Sequence, residues 1–153
     1  MKKFQFKLAP LLNYRTYLER LAQQDTARAH MDVKGCESAI RQLKLNRVRQ
    51  ADEIEESLQK GLHSSQFKRY YEYMDALENQ LVDEKKRKTQ LKKVLEEKIQ
   101  ILKKKSVDKK AMELYRDRQH TRYQQELLKT EQKELDEIST LKTARKVNHD
   151  TSE

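Results

Sequence analysis

The sequence predicts an all-α fold, an elongated antiparallel hairpin of two coiled-coil helices. Three observations carry that prediction. First, 153 residues contain two glycines and one proline, too few to punctuate a fold of many elements. Second, 39% of residues are charged and 35% hydrophobic, against about 25% and about 45–50% in ordinary soluble domains. Third, apolar residues recur in steps of three and four over long stretches, the signature of helices with one buried stripe.

The elements follow in order. Residues 1–9 form a leading tail in which Phe4, Phe6 and Leu8 alternate. Lys7, Asn13 and Arg15 break the apolar run of about 7–15 residues that an export signal needs. Pro10 opens helix 1, where its missing N–H would lack a partner anyway. Helix 1 runs over 10–60, with Gly35 inside it at a cost of about 1 kcal/mol relative to alanine. Gly61 ends it in the left-handed conformation, residues 61–64 turn, and Ser64 or Ser65 caps the next helix. Helix 2 covers 65–145 and a flexible tail 146–153. So short a connection makes the helices antiparallel neighbours. At 1.5 Å per residue they reach roughly 75 Å and roughly 120 Å, leaving the end of helix 2 to overhang.

In helix 1 the stripe reads Leu18, Leu21, Asp25, Ala29, Val33, Cys36, Ile40, Leu43, Arg47, Ala51, Ile54, Leu58, Leu62, about 3.7 residues per step. In helix 2 it reads Phe67, Tyr70, Met74, Leu77, Leu81, Glu84, Lys88, Leu91, Leu95, a 3.5-residue step. The second value belongs to a left-handed coiled coil and the first to a straighter stem. Polar members thin both stripes, which suits a narrow two-helix contact.

Composition excludes several function classes. Cys36 stands alone and the four histidines are scattered, so no metal-ligand spacing exists. No Gly-rich phosphate loop or nucleophile–base pattern appears, and two charged helices offer no pocket to shelter chemistry. The chain reads as a non-enzyme without cofactors. No apolar run approaches the roughly 18 residues of a membrane span. Net charge is +9, concentrated in 84–110, where 12 Lys/Arg face 4 Asp/Glu. That stretch reads as a solvated face, a docking surface for an acidic protein, or a phosphate-binding stripe. No aromatic residue interleaves with it for base stacking, which disfavours nucleic acid. Its apolar residues are committed to the stripe, which disfavours a lipid surface. Aromatics gather instead after the turn: "FKRYYEYMDAL" places Phe67, Tyr70, Tyr71 and Tyr73 within seven residues. They read either as a partner-binding patch or as a thickened plug for the hairpin end.

The start "FQFKLAPLLNYR", the two long helices, the Gly35–Cys36 pair and "YYEYMDAL" together resemble the FliJ family of the bacterial flagellar type III export apparatus. The resemblance spans essentially the whole chain. It implies a hairpin similar to the central stalk of rotary ATPases, without enzymatic activity. It also implies cytoplasmic placement at the inner face of the cell membrane, through the export apparatus. The partners it implies are the hexameric flagellar export ATPase, whose pore it enters and whose assembly and activity it promotes, the export-gate membrane protein, and export chaperones. Carried over to this sequence, the gate side comprises Gln42, Tyr73 and Leu77, with Tyr70 beside them. Asn46, Arg49, Gln80 and Glu84 occupy neighbouring places with chemistry that departs from the family's. On the ATPase side stand Phe4, Phe6, Leu8 and Arg15, the first three either gripping the ring or folding back as a staple on helix 2. Alternatives are the stalk of a virulence-type injection system, a basic nucleic-acid-binding coiled coil, or a self-assembling rod.

Overall fold

A chain poor in turn-formers and rich in helix-formers should break once, and among the described residues it does. The computed structural model describes residues 3–150, with side chains through residue 143. Helix α1 spans Ala9–Lys60 and helix α2 spans Ser64–Asp150. No strand occurs among the described residues, so the alternation of Phe4, Phe6 and Leu8 does not make one. Helix α1 begins one residue before Pro10, which still lies in the first turn. Helix α2 runs five residues past the expected end at 145, because neither glycine nor proline stops it there. The tail expected over 146–153 is therefore helical to Asp150, and its last three residues lie outside the described ones.

Gly61 makes the turn. Its φ is +88°, a region that a Cβ penalises, and its N–H donates to the carbonyl of Leu58 at 3.3 Å. The cap of α2 differs from the expected serine. His63 occupies the cap position, and the Oε1 of Gln66 reaches back to accept its N–H at 3.3 Å. The His63 carbonyl accepts from Gln66 and Phe67 at 2.9 and 3.1 Å. This is the return half of a capping box, supplied by a glutamine three residues into the helix.

The fold divides into two compact units, Leu18–Ser106 and the residues flanking it on either side. Within Leu18–Ser106, antiparallel pairing shows in the ion pairs. Arg47 meets Glu78 at 2.7 Å, Glu37 meets Lys88 at 2.9 Å, and Asp25 meets Lys98 at 3.3 Å. One number falls as the other rises. Leu81 (1% exposed), Cys36 and Ile40 form the best-covered cluster, with Leu43 and Leu91 packed against it.

The stripe of α1 differs from the expected one at five places. Ala22, Thr26, Asn46, Gln50 and Ser57 are the more buried, whereas Leu21, Asp25, Arg47, Ala51 and Leu58 are exposed. Inward residues therefore recur every seven positions (22, 29, 36, 43, 50, 57), and the stripe keeps a 3.5-residue step instead of drifting. Small side chains at Ala22 and Thr26 let the helices approach. The hydroxyl of Thr26 donates to its own helix at the Ala22 carbonyl, 2.7 Å away, and also lies 3.3 Å from the Lys98 carbonyl of α2. In α2 the expected stripe holds from Tyr70 to Leu95, and Phe67 is half exposed.

Candidate partner-binding surfaces

In the terminal unit, the leading tail lies along α2. The Phe4 ring meets His120 edge-on at 5.0 Å between centroids and Tyr123 at 5.6 Å. Phe6 meets Tyr115 at 6.2 Å. Both rings are half-buried, so of the two readings the contacts made are those of the staple. Such aromatic contacts contribute about 0.5–1.5 kcal/mol beyond the area they bury. In the same unit Leu12 is buried and Leu8 is part-exposed. The Arg15 guanidinium donates to the carbonyl of Asp108 at 2.8 Å, tying the first turns of α1 to α2. Farther along α2, residues 131–143 are exposed throughout. They carry Leu135, Ile138 and Leu141 in one stripe, with no helix against it among the described residues.

In the unit Leu18–Ser106, the tyrosine cluster lies at the start of α2. Tyr73 is 45% exposed and Gln42 is exposed, while Tyr70 is half-buried. Leu77 is buried against α1 and is a packing residue. Its side chain offers a partner almost no surface. An open cleft of about 370 Å³ lies beside these residues, lined by Gln50, Gln66, Arg69, Tyr70 and Tyr73. It combines two phenol rings, two amides and one guanidinium, a set suited to holding a polypeptide segment.

The family model of the flagellar FliJ protein matches residues 4–148. The chain belongs to the FliJ family. Membership makes it a flagellar protein of type III protein export with a stalk- or escort-like role, in a family of structural rather than enzymatic proteins. A solved structure from Chlamydia trachomatis, CT670, described as a candidate YscO homolog, is similar at 19% identity. The likeness covers 91% of this chain and 94% of that one, with a TM-score of 0.48. No curated protein sequence matches.

Of the residues expected on the gate side, Gln42 and Tyr73 are exposed on the surface, and Leu77 is buried. Gln50, Gln66 and Arg69 were missed by sequence reasoning. The signal for two of them was present, since Gln66 and Arg69 precede Tyr70 and Tyr73 by four residues and share their helix face. Gln50 becomes visible once the register of α1 is known. Among the described residues, no helix of this FliJ-family chain is long and apolar enough to cross a membrane.

Proposed function

We propose that this protein is the non-enzymatic stalk of a flagellar type III export apparatus. It enters the pore of the hexameric export ATPase, promotes ring assembly and hydrolysis, and links the ring to the export-gate membrane protein and to export chaperones. It works at the cytoplasmic face of the inner membrane. The observation that carries this reading is the family match over 4–148. The ring side uses the terminal unit: Phe4 and Phe6 shape its surface by packing on α2, Leu8 lies part-exposed at its edge, and Arg15 fixes the helix they precede. The unpaired stripe Leu135–Ile138–Leu141 supplies apolar contact area. The gate side uses Gln42, Tyr70 and Tyr73 with the neighbouring cleft.

The deciding experiment measures ATP hydrolysis by the cognate hexamer with and without this protein. Stimulation that saturates at a substoichiometric ratio of stalk to ATPase subunit supports the reading. A hexamer whose assembly and turnover ignore the protein removes it.

A further inference from the structure

The two flanks of the hairpin within Leu18–Ser106 differ in charge. Contacts assign the flanks. Glu78 bridges to Arg47 and Glu37 bridges to Lys88. The carboxyl of Glu37 is held below its ordinary range, first by its hydrogen bond to Lys88 and then by the nearby charges of Lys88, Lys92 and Arg41. Glu78, Lys85 and Lys92 are seven residues apart and share one stripe of α2. Lys34, Arg41 and Val48 share one stripe of α1, and Glu37 and Lys44 share another. Lys34, Arg41, Lys44, Lys85 and Lys92 are all exposed, and none makes an ion pair among the described residues. Of the carboxylates on this flank, Glu37 and Glu78 are engaged by Lys88 and Arg47, and Asp75 and Glu96, on the stripe of Val82, lie at its two ends.

The opposite flank is identified by the bridge from Asp25 to Lys98. Along the same stretch it carries Asp32, Ala39, Asp83 and Arg87. Asp83 is bridged by Lys86 at 3.8 Å, and Arg87 bridges to Glu84 at 3.4 Å. Charges there nearly cancel. The positive excess is therefore one-sided.

We propose that the flank bearing Lys34, Arg41, Lys44, Lys85 and Lys92 docks an acidic α-helix of a partner protein, one that presents carboxylates every seventh residue. Spacing selects that ligand. Cations seven residues apart repeat at about 10.5 Å along each helix, the repeat of a helix laid alongside them. Two exposed valines, Val48 (59%) and Val82 (41%), add apolar contact for the partner's seam. A nucleic-acid strand repeats its phosphates at about 3.4 Å of rise and gains from stacking, and no aromatic residue lies among these cations. A lipid surface needs larger apolar side chains than two valines to anchor a helix. The proposal uses none of the residues assigned to the ring or the gate, so it stands or falls apart from that reading.

The test uses the full-length protein and a fluorescent designed peptide, helical and carrying glutamate at every seventh position. Binding is read by anisotropy. The triple variant Arg41→Gln/Lys85→Gln/Lys92→Gln should weaken binding at least about tenfold, about 1.4 kcal/mol. Arg28, one turn before Asp32, and Lys104, on the seven-residue stripe of Asp83, lie on the other flank, so Arg28→Gln/Lys104→Gln should leave binding unchanged. Single changes at Lys85 and Lys92 should each give part of the loss, with circular dichroism confirming intact helix. Raising salt until the Debye length nears 3 Å should abolish binding. Equal affinity for a peptide of the same composition with its glutamates clustered would overturn the proposal. So would unaltered binding by the triple variant, or tighter binding to single-stranded DNA or to phosphatidylglycerol vesicles than to the peptide.

Discussion

The Cys36 sulfur on α1 lies 3.2 Å from a carboxylate oxygen of Glu84 on α2, and 3.3 Å from the Glu84 carbonyl. The thiol donates into a pair of acceptors, and its ionised form would face a carboxylate instead. Burial pushes its pKa above the ordinary 9.0, and the Glu84 hydrogen bond and charge push the same way. A folded-state value raised above the unfolded one gives stability that is whole below about pH 9 and lost as pH rises through the folded value. Thermal melts of the protein and of Cys36→Ala should therefore converge or cross above pH 9. A constant difference across that range would contradict the assignment.

Glu37 titrates in the other direction. Its hydrogen bond to Lys88 lowers its pKa from 4.5. A depressed carboxyl contributes stability above the unfolded value and loses it as pH falls through the folded one. Denaturant midpoints of the protein and of Glu37→Gln should differ slightly at neutral pH. They should meet as pH drops below 4.5. The pair is partly exposed, so added salt should shrink the difference.

The two glycines should respond to alanine with opposite signs. A Cβ at Gly35 meets no atom within 4 Å, and the position is mid-helix. Gly35→Ala should raise stability by about 0.5–1 kcal/mol. At Gly61 the space is open too, but φ is +88°. Gly61→Ala should cost about 1–2 kcal/mol. Chemical denaturation of both variants checks the pair.

Deleting the residues before Ala9 should lower stimulation of the cognate ATPase, because Phe4 and Phe6 give the terminal unit its aromatic surface. Tyr73→Ala should leave stimulation intact and reduce export, since its ring stands free at the cleft. Leu77→Ala is the poorer probe. It removes a buried side chain and should cost about 2–5 kcal/mol of packing. ATPase assays and secretion assays on the same variants separate the two effects.

Helix content and the reversal were legible because glycine and proline are scarce and Gly61 sits where helical periodicity breaks. Register was legible in α2, where Tyr70, Met74, Leu77 and Leu81 are large and unambiguous. It was misread in α1, where Ala22 turns inward and Leu21 outward. A two-helix contact favours small side chains between close backbones, so hydrophobicity ranks these neighbours in the wrong order. The serines near the turn drew attention from Gln66, whose cap acts through a side chain reaching backwards. At the candidate site, exposure of Tyr73 followed from helical spacing. Arg69 shares a helix face with Tyr73 and was within reach of the same spacing, whereas Gln50 needed coordinates, because a cleft between helices depends on which residues of each come level.

The Cys36–Ile40–Leu81 cluster also divides the hairpin by how readily its amides open. Around it, backbone hydrogens should exchange slowly, with local opening nearing global unfolding. Toward the turn, pairing rests on contacts such as Arg47–Glu78, whose side chains are half exposed and which contribute about 0–1 kcal/mol. Exchange should quicken from Leu43 to Lys60 and from Leu77 back to Ser64, more steeply at high salt. The two helix ends at the tip thus fray as a pair while the cluster stays shut. A partner that prised Tyr70 from α1 would work against weak, screened contacts and would leave Leu81 covered.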